Sequence, residues 1–189
     1  MPKLLAVIDY QNDFVTGSLG FEGAAAIDGG IARLAQQYLA QGDHVLFTYD
    51  THDDEYLETR EGRALPIPHC NPKNSGWRLY GKTQELCCET CCNSQIHTVN
   101  KHTFGMPPAE LLRLGKELPD LREILVVGVV TNMCVISNAV LMQAQWPEAV
   151  ITVDAALCRS FDPMLHDKAL DVMASLQMIV INHETRGII

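Results

Sequence analysis

Asp9, Lys101 and Cys134 are an acid, a cation and a thiol, each standing just past a short apolar or strand-like run. Together they suit nucleophilic catalysis: a carboxylate can take the thiol proton, and an ammonium can hold the resulting anion. Cys134 falls where an apolar run passes into a helical pattern, and the N–H groups and positive dipole end of a helix N-terminus favour thiolate over thiol. A small buried hydrophobe is the alternative for a lone cysteine, a turn cap for Asp9 and a solvated loop residue for Lys101, with Lys82 its nearest competitor. A second group lies in one polar stretch. Asp50 and His52 are two positions apart, which in extended chain puts both side chains on one side, and His69 follows further along. Asp, His and His suit zinc or iron and leave positions open for water or substrate. The competing reading is a polar surface loop with scattered histidines.

The elements that must position these groups alternate along the chain. Residues 4–8 form a short continuous apolar run, the pattern of a strand buried on both faces. Ile27, Ile31, Leu34, Ala35, Tyr38 and Leu39 recur at helical spacing, with Gly42 as the stop. Further strands are expected over 44–49, 96–99, 124–130, 149–153 and 178–181, with helices opened by Pro107-Pro108 and over about 134–144 and 164–175. The stretch from 50 to 82 is read as a long functional loop. Strands alternating with helices imply one domain over 1–189, an α/β fold with a mostly parallel sheet covered on both faces. Ligands then bind beyond the carboxyl ends of the strands. Asp9, Asp50, His52, Lys101, Thr131 to Cys134 and Asp154 are all expected at that edge, Asp154 as fold support. No Gly-x-Gly-x-x-Gly and no P-loop occurs, so dinucleotide and nucleotide readings lose their main support.

A chain of 189 residues and 20.9 kDa, 47% apolar, buries roughly 70% of its unfolded surface and needs no disulfide to hold a core. The net charge of −9, with 14 basic against 23 acidic residues, argues against nucleic acid and against anionic membrane surfaces. No apolar run approaches the roughly 18–20 residues that span a bilayer. The chain reads as lacking a secretory leader, so its seven cysteines are expected reduced in a cytoplasm. Cys87, Cys88, Cys91 and Cys92 contain one Cys-x-x-Cys without a second pair, and are read as a variable end of a helix beginning near Leu79 rather than a zinc site. His44, His97, His102, His166 and His183 show no paired pattern.

Three segments together resemble the isochorismatase-like cysteine hydrolases, in their nicotinamidase branch: residues 7–14 (Val-Ile-Asp-Tyr-Gln-Asn-Asp-Phe), 101–105 (Lys-His-Thr-Phe-Gly) and 128–135 (Gly-Val-Val-Thr-Asn-Met-Cys-Val). The resemblance implies a three-layer, six-stranded fold, Asp9 as base and acid, Lys101 as cation and Cys134 as the attacking sulfur. It also implies a cis peptide between Val129 and Val130, with the N–H groups of Val130 and Cys134 as an oxyanion hole. Metal ligands would fall on Asp50, His52 and His69, with Glu58 or Glu61 as a further candidate, holding zinc, or iron or manganese. Phe14 and Leu19 match apolar pocket positions, and Trp77 could add a ring. The implied reaction cleaves a small amide to carboxylate and ammonia through a thioester, in a homo-oligomer. Leu65-Pro66-Ile67 stands where an aromatic is common, and Asn132 where an acid is, so nicotinamide is only the leading amide. Alternatives are a metal-independent hydrolase of isochorismate or an N-carbamoyl group, and a non-catalytic binding module.

Overall fold

Alternating side chains on fully buried strands divide the interior into two layers, one on each face of a single sheet. In this computed structural model residues 2–89 and 93–183 are described, the side chains of Cys88 and Glu89 excepted. The strands are β1 (Lys3–Ile8), β2 (His44–Asp50), β3 (Ile96–Lys101), β4 (Glu123–Val129), β5 (Val150–Arg159) and β6 (Ile179–Ile181). They lie in the order β3-β2-β1-β4-β5-β6, and every neighbouring pair is parallel. The reversal of order on either side of β1 and β4 makes the carboxyl ends of those strands the natural binding crevice.

The helices are α1 (Asn12–Val15), α2 (Asp28–Ala40), α3 (Arg60–Ala64), α4 (Gly81–Glu89), α5 (Pro108–Glu117), α6 (Ile136–Gln145) and α7 (Pro163–Ser175). Leu4, Ala6 and Ile8 of β1 face α5, α6 and α7 through Leu114, Met142 and Leu170, whereas Leu5 and Val7 face Ile31 and Ala35 of α2 and Leu86 of α4. Truncating a fully buried leucine such as Leu4 to alanine removes about 2–5 kcal/mol. No helix among the described residues is long and apolar enough to cross a membrane.

Several expected boundaries move. The β3 strand runs on to Lys101, making the lysine its last residue rather than a loop residue. Asp154 does not end β5. Pairing with β4 steps from Val126↔Val153 to Gly128↔Cys158, a bulge that carries β5 on to Arg159. Asp154 instead accepts hydrogen bonds from the Ala156 N–H and Asn182 Nδ2, both at 3.0 Å, as fold support. The stretch after β2 is not structureless: it folds α3 and short 3-10 turns at Tyr56–Glu58 and Ser75–Trp77. His44 and His97, which show no pairing in the sequence, meet at 3.1 Å on the edge of β2 and β3. Cys91 and Cys92 lie outside the described residues.

Candidate active site and metal centre

Asp9 follows β1 with φ 46°, the left-handed region that aspartate tolerates better than most side chains. The turn is closed by the Gln11 N–H donating to the Asp9 carbonyl at 2.7 Å, and Thr48 of β2 fixes the side chain. The Thr48 hydroxyl donates to Asp9 Oδ1 at 2.6 Å and accepts from the Asp9 N–H at 3.0 Å. Close approach of β4 to this point requires Gly128, whose φ is 117° and whose added Cβ would lie 2.2 Å from the Ile8 carbonyl oxygen. The Val129–Val130 peptide that follows is cis, as the resemblance implied.

Cys134 stands in a π-helical turn, Thr131–Val135, that leads into α6. Buried Asn138 ties this turn to the segment after β3. Its Nδ2 donates to the Cys134 carbonyl at 2.7 Å and the Phe104 carbonyl at 3.0 Å, while its Oδ1 accepts from the Met106 N–H at 2.9 Å. Two further side chains hold the turn: Ser160 Oγ is 2.7 Å from Asn132 Oδ1, and His166 Nδ1 is 2.8 Å from Thr131 Oγ1.

Asp9, Lys101 and Cys134 meet. Lys101 Nζ lies 2.7 Å from Asp9 Oδ2, 3.6 Å from Cys134 Sγ and 3.1 Å from Asp50 Oδ1, and also donates to the Thr103 carbonyl at 2.9 Å. Burial works against the charge of Lys101, but Asp9, then Cys134 and Asp50, hold its pKa well above the ordinary value. Burial raises the Asp9 carboxyl, with Lys101 and the Thr48 hydroxyl opposing and Asp50 adding. For Cys134 burial again dominates, reinforced by the Asp9 charge and opposed by Lys101, so the thiol is pushed well up. Desolvation thus opposes the thiolate that a helix N-terminus would favour.

Asp50, His52, Glu61 and His69 bring ligand atoms within 4.8 Å of one another. Asp50 Oδ2 is 3.1 Å from His52 Nε2 and 3.3 Å from His69 Nε2, and Glu61 Oε1 is 3.9 Å from His52 Nε2. Of the acids left open by the sequence, Glu61 joins the group and Glu58 is exposed outside it. Burial would raise the Asp50 carboxyl, but hydrogen bonds to His52 and His69, with Lys101, hold it far below the usual range. The donor set fits a divalent cation on its chemistry. His69 Nδ1 lies 2.8 Å from the Ile67 carbonyl, which can only accept, so Nδ1 carries a proton and Nε2 is the ring nitrogen turned toward Asp50 as the available ligand atom.

The supports of this group were not legible as ligands. Gln11 brackets the Asp50 backbone, donating to its carbonyl at 2.9 Å and accepting from its N–H at 2.8 Å. Asp13 Oδ2 accepts from the Cys70 N–H at 2.7 Å, pinning the turn after His69. Both residues lie in the segment at 7–14, which was the available signal.

A cavity of about 370 Å³ opens onto both groups. Asp50, Glu61, His69 and Cys134 supply its polar lining, and Phe14 and Leu19 line it as expected. Trp77 does not. Its ring stacks on Tyr49 at 4.8 Å and its Nε1 donates to Thr51 Oγ1 at 2.9 Å, which commits it to the base of the loop. Phe104 and Phe161 line the cavity in its stead.

A family model for the isochorismatase domain matches residues 3–185. The chain belongs to the isochorismatase family. Among its relatives is an uncharacterized isochorismatase family protein PncA of Bacillus subtilis, 31% identical over 143 residues, or 74% of this chain and 78% of that protein. A solved nicotinamidase/pyrazinamidase PncA from Bacillus subtilis superposes with a TM-score of 0.85 at 29% identity, covering 95% of this chain and 99% of that one. A pyrazinamidase/nicotinamidase from Streptococcus mutans gives the same TM-score, 0.85, at 26% identity, with 95% and 99% covered. The six-stranded α/β architecture is thus that of isochorismatase-like proteins.

Proposed function

We propose that this member of the isochorismatase family hydrolyses a small neutral amide to carboxylate and ammonia, with nicotinamide the first compound to test. The observation that carries the reading is the meeting of Asp9, Lys101 and Cys134 in one buried contact at the floor of a cavity. The similarity to solved nicotinamidases supports the amide.

In the proposed sequence Asp9 removes the Cys134 proton as the sulfur bonds to the carbonyl carbon, and Lys101 balances the negative charge passing between them. The oxyanion is held by the N–H groups of Val130 and Cys134. Asp9 then returns the proton to nitrogen, the C–N bond breaks, and ammonia leaves a thioester. Water, deprotonated by Asp9, attacks the thioester; the C–S bond breaks and the sulfur recovers its proton. Asp50, His52, His69 and Glu61 would hold a divalent ion, zinc being the best match to two imidazoles and two carboxylates. Such an ion supplies a positive anchor for a polar substrate atom. Phe14 and Leu19 would pack against the ring.

The isochorismate alternative, and an N-carbamoyl substrate where it carries an acid, require recognition of a carboxylate. No arginine lines the cavity among the described residues, and Lys101 is committed to Asp9 and Asp50. A reducing cytoplasm suits a catalytic thiol, and the family resemblance makes a homo-oligomer the expected assembly. The test is ammonia release from nicotinamide, pyrazinamide and aliphatic amides, with and without chelator. Metal-dependent release that Cys134→Ala abolishes is the expected result; release unaffected by Cys134→Ala would sink the nucleophile assignment.

A further inference from the structure

Away from the carboxylates, His69 and the sulfur, every lining side chain of the cavity is apolar. At about 370 Å³ it falls within the range of pockets that take drug-sized ligands, roughly 300–1,000 Å³. A single-ring amide anchored at the donor cluster and Cys134 therefore leaves apolar wall uncovered. Phe104 and Phe161 line the cavity while remaining 43% and 53% exposed, so they stand at its mouth with carbon facing water. The Phe161 ring meets Phe21 edge-on at 6.0 Å, and the backbone of Phe104 is held through its carbonyl by Asn138. Anchored aromatics at the rim of an apolar cavity form a surface that a bound ligand can cover.

We propose that Phe104 and Phe161 are specificity-determining residues that select aromatic carboxamides bearing an apolar ring substituent over the unsubstituted ring. The inference rests on the amide-hydrolase reading of the same site. A carboxylate on the ring is disfavoured, because the rim side chains Phe104 and Phe161 offer it neither a cation nor a hydrogen-bond donor.

The experiment compares ammonia release by the zinc-loaded enzyme from nicotinamide, its ring-methyl, ring-ethyl and ring-propyl derivatives, and a ring-carboxylated one. The expected kcat/KM rises roughly fourfold per added methylene and is lowest for the carboxylate. In Phe104→Ala/Phe161→Ala the propyl-to-unsubstituted ratio falls toward one; the ratio is internal to each variant, so partial misfolding leaves it intact. A flat or falling series in the wild type, or an unchanged ratio in the variant, overturns the proposal. Silence with every amide would instead count against the hydrolase reading. The selectivity is then read by calorimetric binding of the same series to Cys134→Ala protein: affinity rising with substituent length supports it, and flat or falling affinity overturns it.

Discussion

Asp9 holds its charge where no water reaches it, against Lys101 on one oxygen and the Thr48 hydroxyl on the other. Burial sets the direction: its pKa lies above the ordinary 3.8, so the form able to take the Cys134 proton appears only as pH rises past that raised value. The acid limb of kcat/KM, which reports the free enzyme, should therefore lie above the usual aspartate range. Thr48→Val removes a hydrogen bond that favours the charged form, which raises the pKa further and moves the limb to higher pH. A limb that stays put or moves down in pH–rate profiles would disprove Asp9 as the base. Legibility at this level was uneven. Asp9, Lys101 and Cys134 were readable because their types are reactive and their neighbours apolar. Thr48 was not, since a threonine inside a strand looks like any β-former until the neighbouring strand brings Asp9 against it.

The π-helical turn between β4 and α6 places the sulfur, and its stability depends on a side chain outside the reactive set. Asn138→Leu would leave the buried carbonyls of Cys134 and Phe104 and the N–H of Met106 without their partner. Each such loss costs about 1–3 kcal/mol. The variant should melt earlier and, where still folded, show a lower kcat as Cys134 and Lys101 drift apart; thermal melts and steady-state kinetics read both. The alternation of strands and helices was plain in the sequence because apolar runs of strand length alternate with helical spacing. The bulge in β5 was not, because Ala155-Ala156-Leu157-Cys158 carries no turn residue to announce it. Nor was the displacement of Trp77, whose stacking on Tyr49 depends on how a long loop folds back. Glu58 ends a 3-10 turn and Glu61 lies in the first turn of α3, and no local pattern encodes which of the two reaches His52.

As a whole the molecule brings ends of β1, β2 and β3 and the turn after β4 to one crevice, and Asp50 links the two reactive groups by touching both Lys101 and the histidines. Binding at that crossing should stabilise the entire fold. An ion that binds only the folded chain adds about 2.7 kcal/mol at a hundred times its Kd, a rise of roughly 5–10 °C in the midpoint for a chain of this size. Zinc added to chelator-stripped protein should produce that rise. Glu61→Gln should reduce it and Glu58→Gln should not; equal responses in calorimetric melts would remove Glu61 from the ligand set.

The long β5 strand joins the mouth of the cavity to the turn that carries the thiol. The acid follows β1, the cation ends β3 and the thiol stands in the turn after β4, whereas Phe161 lies two residues past the end of β5, beyond the bulge after Val153. Ser160, beside that phenylalanine, holds Asn132 of the Cys134 turn, so gaining or losing a residue past the bulge would shift the aromatic and the support of the thiol together.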